Sequence, residues 1–232
     1  RLTVGMLEKA GIRIEQAGNG WHIPGGQVYQ PLQLAIPADV SAAAVFAVLA
    51  ALSGTAVTIA GVSADPDQPD AAVFAILEQL GAAVRADPAG VQVQGGPLMG
   101  TQIDLADCPD LGPVLFVLAS AAAGQTVFRH AGRLRYKESD RLAAMQQELA
   151  ACGIRMDIRE DTVIIAGQNP VPPGRPLDCH KDHRIAMALS LLGARLNEPV
   201  ILHGAECIGK SFPDFFTVLA GCGCQVERIP AA

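Results

Sequence analysis

The feature that most constrains the fold of this chain is an internal repeat. Three stretches each have an aspartate as their second residue and continue into a run of apolar, helix-forming residues: "ADVSAAAVFAVLAALSG", "PDLGPVLFVLASAAAG" and "KDHRIAMALSLLGA". Their aspartates, Asp39, Asp110 and Asp182, are 71 and 72 residues apart. A fixed period of this length predicts three copies of one structural unit.

The elements within each unit follow the same order. After the apolar helix comes a β-like segment ("TAVTIAGV", "QTVFRHAG", "EPVILHGA"), then a second helix that ends at Gly81, Gly153 or Gly223. Glycine at this place is typical of a left-handed helix C-cap. A further strand follows in each unit ("AAVRAD", "IRMDI", "CQVERI"). The order predicts sheets covered by helices, in the α/β (α+β) class.

The first helix of each unit is apolar on all sides, which is typical of a helix with no solvent-facing side. We therefore expect three buried, roughly parallel helices in the middle of the domain, over Ala42–Leu52, Val114–Ala123 and Ile185–Leu192.

The start of the chain repeats only the second half of a unit. In "GMLEKAGIRIE", Gly11 lies 70 residues before Gly81. We expect residues 1–34 to be the tail of an incomplete upstream domain and residues 35–232 to be a complete domain of three repeats. Arg1 is then not expected to be a natural start.

Composition narrows the class of protein. The net charge of −6 argues against a nucleic-acid binder. The longest apolar run, Ala42–Leu52, is too short to span a bilayer. The cysteines form no CxxC pair, so we expect reduced thiols, no metal and a cytoplasmic protein. They are Cys108, Cys152, Cys179, Cys207, Cys222 and Cys224.

Charged residues are concentrated at the helix starts, in "RLRYKESDRLAAMQQELAACG", "KDHR" and "GKSFPDFF". Helix N-termini carry free N–H groups and bind anions, and nearby lysine and arginine strengthen such a site. We expect a phosphate- or carboxylate-binding site in which the cations face a common open surface near two carboxylates. The cations are Lys137, Arg141, Arg184 and Lys210, and the carboxylates are Asp110 and Glu138.

A structural explanation also fits each motif taken alone. Asp39, Asp110 and Asp182 suit helix N-caps. The "KESDR" segment suits a solvated helix start, and His183 suits a structural histidine. What favours a site is the recurrence of charged helix starts in register.

Several motifs carry a family resemblance. "RYKESDRLAAMQQELAACG", "KDHRIAMALSLLG" and "CIGKSFPDFF", in that order, resemble the signatures of the 5-enolpyruvylshikimate-3-phosphate (EPSP) synthase family. "IPADVSAAAVF" resembles that family's G-D-x-S-S-A segment, with Ala38 in place of the glycine and Ala42 in place of the second serine. The resemblance covers nearly the whole chain.

The resemblance implies a two-domain enzyme, each domain made of three βαβαββ units. The cleft between the domains binds shikimate 3-phosphate and phosphoenolpyruvate. The reaction, a step of aromatic amino-acid biosynthesis, transfers the carboxyvinyl group of phosphoenolpyruvate to the 5-hydroxyl of shikimate 3-phosphate, without a cofactor or metal. This chain would be the C-terminal half, inactive without the N-terminal domain.

The resemblance also assigns roles to residues. Asp110 and Glu138 are the acid/base candidates, and Lys137 matches a residue near the attacking hydroxyl. The remaining matches bind substrate: Arg141, Arg184 and Lys210 hold phosphoenolpyruvate, and Asp182 and His183 complete that wall.

Two other functions stay open. The first is enolpyruvyl transfer to UDP-N-acetylglucosamine, which uses similar cations and a different acceptor; "KESDR" and "DHRIAM" fit the shikimate enzyme better. The second is a non-catalytic repeat domain that binds anions, which the altered "ADVSA" segment keeps open. Turnover that depends on shikimate 3-phosphate separates these possibilities.

Overall fold

The computed structural model describes residues 2–62 and 68–229, and the expectation about Arg1 lies outside them. The helices are α1 Leu2–Lys9, α2 Val40–Ser53, α3 Ala72–Leu80, α4 Gly112–Ala119, α5 Arg141–Ala151, α6 His183–Gly193 and α7 Phe215–Gly221. The strands are β1 Glu15–Ala17, β2 Gly20–His22, β3 Val57–Ala60, β4 Ala83–Asp87, β5 Gly90–Gln94, β6 Gln102–Asp104, β7 Gln125–Arg129, β8 Met156–Arg159, β9 Thr162–Ala166, β10 Leu177–Asp178 and β11 Leu202–His203.

The strands form four small sheets. β3, β5 and β4 make an antiparallel sheet in that order, and β1 pairs with β2 as a hairpin. In the four-stranded sheet β6-β7-β9-β8, β6 and β7 are parallel and the other pairs are antiparallel. β10 and β11 are parallel. Both parallel pairs are joined through one apolar helix, α4 or α6, as a βαβ crossover requires.

The middle stretch has the whole order strand, helix, strand, helix, strand, strand, from β6 through α4, β7, α5 and β8 to β9. The last stretch does not. The strand expected in "CQVERI" is wrong, because residues 224–229 have no strand structure. A strand needs a neighbouring strand for its hydrogen bonds, and among the described residues none pairs with this segment.

Three helices form the centre of the core, and their predicted burial is confirmed. Every residue of α4 is buried, as are most residues of α2 and α6. Each of the three contacts the other two. α4 ends at Ala119, four residues before the expected Ala123, and the chain turns there. The helices also run in the same direction, because their N-terminal ends contact each other and so do their C-terminal ends.

The glycines expected to end the second helices all have the predicted conformation. Gly81, Gly153 and Gly223 have φ values of 105°, 74° and 94°, in the region that side chains other than glycine rarely adopt. Gly81 is itself the C-cap of α3, and its N–H donates to the carbonyl of Leu77 or Glu78. The left-handed conformation is therefore confirmed at all three glycines, but the C-cap position only at Gly81, because Cys152 and Cys222 are the C-caps of α5 and α7 and the glycine follows each of them.

The first part of the chain packs differently from the rest. α1 buries no residue, and every residue of β1 and β2 is exposed. Large apolar side chains are exposed along this segment, among them Trp21, Ile23, Val28 and Tyr29. No helix in the described ranges is long and apolar enough to cross a membrane.

Candidate active site

The N-terminal ends of four helices meet on one side of the domain. Arg141, the first residue of α5, contacts Asp182, the N-cap of α6, and Asp110, in the 3-10 turn Pro109–Leu111 that leads into α4. Arg184, in the first turn of α6, donates to the carbonyl of Ser41, in the first turn of α2, at 3.2 Å. The convergence of helix starts, which the sequence left as an inference, is present.

The opposite ends of the same helices also meet. A cavity of about 210 Å³ is lined by the C-terminal ends of α2 and α6, including Leu52, Leu191 and Arg195. Arg195 donates to the hydroxyl of Ser120, the C-cap of α4. Helices that share both ends run in the same direction, so the parallel arrangement is confirmed.

Arg141 is the centre of the site. Its guanidinium donates to three carboxylates: Nε to Oδ2 of Asp182 at 2.8 Å, Nη1 to Oδ1 of Asp110 at 2.8 Å, and Nη2 to Oε2 of Glu138 at 2.6 Å. Lys137 also pairs with Asp110, Nζ to Oδ1, at 2.8 Å. Arginine suits this position because its planar fork directs several N–H groups at fixed angles.

The position of Arg141 corrects one expectation. The cations were expected to face an open surface, but the Arg141 side chain is only 1% exposed and its charge is shared among carboxylates. Lys137 lies before α5, because Asp140 caps the helix and α5 begins at Arg141. Lys137 reaches Asp110 from the preceding loop.

The repeated aspartates have different roles. Asp39 and Asp182 are N-caps, whose carboxylates accept from backbone N–H groups of α2 and α6. Asp110 is not a cap: it lies inside a 3-10 turn, and α4 has no side-chain cap. The carboxylate of Asp110 is therefore left to bind Lys137 and Arg141. The interpretation as N-caps holds for two of the three residues.

The three carboxylates beside Arg141 all have lowered pKa values. Burial by itself raises the pKa of Asp110, but its hydrogen bond to Lys137 and the neighbouring cations outweigh that effect. Burial of Asp182 is likewise outweighed by its hydrogen bond to Arg141. Burial also raises the pKa of Glu138, but a backbone hydrogen bond and the charge of Arg141 outweigh that effect. The carboxyl groups are therefore ionised at neutral pH.

His183 faces the same cluster. Burial lowers its pKa, and the charge of Arg184 lowers it further, so the imidazole is neutral at pH 7. Its Nδ1 lies 3.8 Å from Oε1 of Glu138, too far for a hydrogen bond. In the described part of the chain this buried atom has no hydrogen-bond partner. A buried polar atom left unpaired is destabilising, which is typical of a functional position more than of an ordinary core residue.

Arg184 and Lys210 are the cations with the fewest partners. The Arg184 side chain makes no ion pair with the described residues, and its one hydrogen bond to them goes to the Ser41 carbonyl. Lys210, at the end of the 3-10 helix Ala205–Lys210, lies 3.5 Å from Oε1 of Glu138 and is 68% exposed. These two side chains therefore offer most of the unneutralised positive charge around the carboxylates.

Two residues at this site were missed by the sequence analysis. Ser139 donates its hydroxyl to Oδ2 of Asp182 at 3.0 Å, and its place inside "KESDR" could have indicated a role. Asp70 is buried and accepts from the Ser41 hydroxyl. Burial raises the pKa of Asp70 despite that hydrogen bond and the charge of Arg184. No local pattern distinguishes Asp70 from an ordinary helix-start aspartate.

The residues sort into two groups. Arg141, Asp110, Glu138 and Asp182 form a connected network in which three carboxylates share the charge of one guanidinium, while Arg184, Lys210 and the neutral His183 lie at its edge. No cluster of His, Cys, Asp or Glu suited to a metal ion is found among the described residues. The arrangement fits an anionic substrate held beside carboxylates that can exchange protons.

Comparison with known proteins agrees with this chemistry. A sequence model of the EPSP synthase (3-phosphoshikimate 1-carboxyvinyltransferase) family matches residues 1–219. The chain is 36% identical over 233 residues to the 3-phosphoshikimate 1-carboxyvinyltransferase of Halobacterium salinarum (strain R1), and the match covers 97% of this chain and 54% of that protein.

Solved structures give the same picture. The EPSP synthase of Acinetobacter baumannii superposes with a TM-score of 0.78 at 33% identity, over 94% of this chain and 53% of that one. The enolpyruvyl transferase NikO from Streptomyces tendae, at 24% identity and a TM-score of 0.72 over 99% of this chain and 54% of that one, shares the fold. The chain spans about half the length of the relatives that it matches.

Proposed function

This chain belongs to the EPSP synthase (3-phosphoshikimate 1-carboxyvinyltransferase) family, and we propose that it supplies one side of the active site of such an enzyme. The proposed reaction transfers the carboxyvinyl group of phosphoenolpyruvate to the 5-hydroxyl of shikimate 3-phosphate and releases phosphate. The observation that carries the proposal is the bridging of Asp110, Glu138 and Asp182 by buried Arg141, beside two cations that remain available to an anion.

The available cations are the proposed holders of phosphoenolpyruvate. Arg184 lies in the first turn of α6, where backbone N–H groups and the helix dipole also favour negative charge. Lys210 lies at the end of the 3-10 helix Ala205–Lys210 and not at the helix start that the sequence indicated, and it contributes an exposed ammonium group. His183 adds the unpaired Nδ1. Arg141 is assigned to the same wall, and because its N–H groups are already bonded to carboxylates, it acts there chiefly by fixing Asp110 and Asp182.

The proposed proton transfers use Asp110 and Glu138, with Lys137 beside the attacking hydroxyl. The reaction protonates the methylene carbon of phosphoenolpyruvate and lets the hydroxyl attack the cation-like carbon, while the hydroxyl proton passes to one of these neighbouring groups. A proton is then removed from the former methylene carbon as phosphate leaves. Both carboxyls have lowered pKa values without substrate, which suits a base. An anionic substrate offsets the cations around them and thereby raises their pKa, which suits an acid.

We also propose that residues 1–34 belong to an upstream domain and that residues 35–232 form the C-terminal domain. Supporting this boundary, α1 buries no residue and apolar side chains are exposed along the first segment. In this proposal the upstream domain holds the phosphate of shikimate 3-phosphate, and closure of the two domains excludes water. The chain alone is then inactive.

The experiment measures phosphate release with phosphoenolpyruvate and shikimate 3-phosphate. The chain is assayed alone and after addition of the separately produced upstream half. We expect turnover only in the mixture. Substantial turnover by the chain alone contradicts the boundary, and no turnover in the mixture, with both parts folded and associated, contradicts the enzyme assignment.

The acceptor is tested in the same assay. UDP-N-acetylglucosamine replaces shikimate 3-phosphate, and release of phosphate with that acceptor only assigns the chain to the other transferase. If neither acceptor supports turnover while phosphoenolpyruvate still binds, the chain is an anion-binding repeat domain. Binding is measured by calorimetry at two salt concentrations, because screening weakens contacts between exposed charges.

A further inference from the structure

A second charged cluster lies beside the site, around a buried carboxylate that the proposed reaction does not use. Glu148 is on α5, two helical turns after Arg141, and its side chain is 0% exposed. Oε2 accepts from Nη1 of Arg175 at 2.8 Å and from the backbone N–H of Asp178 at 3.2 Å. Oε1 accepts from Nε2 of Gln147 at 3.0 Å and lies 3.1 Å from Nε2 of His180.

His180 stands at an unusual turn of the backbone. It and Lys181 have φ values of 51° and 54°, so two consecutive residues other than glycine are left-handed. This conformation costs roughly 1–2 kcal/mol per residue and persists only where other contacts impose it. The turn joins β10 to α6 and leads directly into Asp182, His183 and Arg184.

The surrounding hydrogen bonds fix the turn from several sides. The N–H of His180 donates to Oδ1 of Asp178 at 2.7 Å, and the N–H of Asp182 donates to the carbonyl of Cys179 at 2.9 Å. The side chain of His180 adds the contact to Glu148 on α5. The strand before the turn is held by pairing of β10 with β11.

We propose that Glu148 and His180 form a positioning clamp that sets the orientation of Asp182, His183 and Arg184 against α5. The segment 180–184 is then attached to α5 twice, by His180 to Glu148 and by Asp182 to Arg141. One attachment fixes the distance between the segment and α5, and the second prevents the segment from rotating about the first contact. Neither clamp residue touches substrate, so both are positioning residues.

A buried carboxylate is better suited to this task than an apolar side chain. Packing by itself favours an apolar residue, because burying an ion pair is often no more stabilising than burying apolar groups of the same size. The carboxylate of Glu148 instead gathers four donors, one from α5 and three from residues 175–180, and so fixes the geometry between these two parts of the chain. A displacement of about 1 Å in a catalytic group can lower a rate about a hundredfold, so such precision has a function.

The clamp is tested with His180→Gly, which removes the side-chain contact while suiting the positive φ, so the fold is retained. The kinetic part rests on the proposed function: in the chain mixed with its upstream half we expect kcat/KM for phosphoenolpyruvate to fall about tenfold or more. KM for shikimate 3-phosphate stays unchanged. His180→Gln places a donor nitrogen, Nε2, equally far along the side chain, and this variant is expected to keep most of the wild-type kcat/KM.

A second readout does not depend on the reaction. Amide hydrogen exchange of the chain alone is expected to speed up at Asp182 and Arg184 in His180→Gly and in Glu148→Gln, and to stay unchanged in Arg155→Gln. Arg155 is a matched control, because it makes an exposed ion pair with Asp157 outside the site. In the double variant Glu148→Gln/His180→Gly, exchange should be no faster than in the faster single variant, because the two substitutions remove the same contact.

The outcomes separate the two proposals. If the amides of Asp182 and Arg184 exchange at the wild-type rate in both single variants, the clamp is overturned. Normal kinetics in both variants, with the wild-type mixture active, also overturns it, because the cluster is then only a structural contact. Faster exchange in the variants of a chain whose mixture never turns over supports the clamp and overturns the proposed function.

Discussion

Arg141 and Asp182 form a buried, two-pronged ion pair between α5 and α6. Nε of Arg141 lies 2.8 Å from Oδ2 of Asp182, and Nη2 lies 3.2 Å from Oδ1. The arginine side chain is 1% exposed and the aspartate side chain is 0% exposed. Because Asp182 also caps α6 through the N–H of Arg184, one carboxylate joins two helix starts.

Removal of Asp182 should therefore be strongly destabilising. In Asp182→Ala the guanidinium of Arg141 loses two hydrogen bonds inside the protein, and we expect the free energy of unfolding to fall by about 3–5 kcal/mol. Urea denaturation of the chain measures this. Asp157→Ala is the control, because its pair with Arg155 is exposed and should contribute less than about 1 kcal/mol. Equal losses in the two variants would contradict the role given to the buried pair.

Arg184→Ala and Lys210→Ala should weaken phosphoenolpyruvate binding without unfolding the protein. A charge-assisted contact is worth about 1.5–3 kcal/mol, so KM for phosphoenolpyruvate should rise by roughly ten- to a hundredfold. Stability should change little in Lys210→Ala, because this side chain is largely exposed. Arg85→Ala, on exposed β4, is the control. Unchanged kinetic constants in both site variants would remove these residues from the site.

Asp70→Asn should stabilise the protein at neutral pH. Burial raises the pKa of Asp70, so its contribution to stability is present below the unfolded-state pKa of about 3.9 and is lost as pH rises through the folded-state pKa. The neutral amide avoids that loss. The advantage of the variant should therefore be present at pH 7 and vanish near pH 4, in thermal denaturation over that range.

Asp110→Asn is the matched opposite case. The pKa of Asp110 is lowered, so its contribution to stability is present above the unfolded-state pKa and is lost as pH falls through the folded-state pKa. This variant should be less stable than the wild type at pH 7 and approach it in acid. If both variants shift stability in the same direction at pH 7, the assignment of opposite pKa shifts to the two aspartates is wrong.

The cysteines should differ in their reaction with iodoacetamide. Burial raises the pKa of Cys179 to about 12 and that of Cys108 to about 11, whereas Cys222 is exposed. Only the thiolate reacts, so at pH 8 the two buried cysteines should react at least about a hundredfold more slowly than Cys222. Mass spectrometry of the native chain measures the order, and urea should remove the difference. Comparable native rates at Cys179 and Cys222 would contradict the burial of Cys179.

The sequence predicted the central helices and the glycines that end the second helices, because both are recorded in nearby residues. An all-round apolar run such as that of α4 has only the core to occupy. A glycine after an amphipathic helix, such as Gly81, has a backbone preference of its own. The same local rules failed for residues 224–229, since strand structure depends on a partner that the segment does not contain.

The sequence by itself determined which charged residues stand near the predicted helix starts; the tertiary structure decided which of them come together and pair with each other. "KESDR" and "KDHR" name the charged groups, but Arg141 meets Asp110 and Asp182 across 31 and 41 residues. The Glu148–His180 contact spans 32 residues. Whether a cation is available to a substrate depends on burial and on these distant partners, because the energy of a charge depends on its surroundings in space. Arg141 and Lys210 therefore carry the same charge but differ in exposure and in the number of carboxylates that they contact.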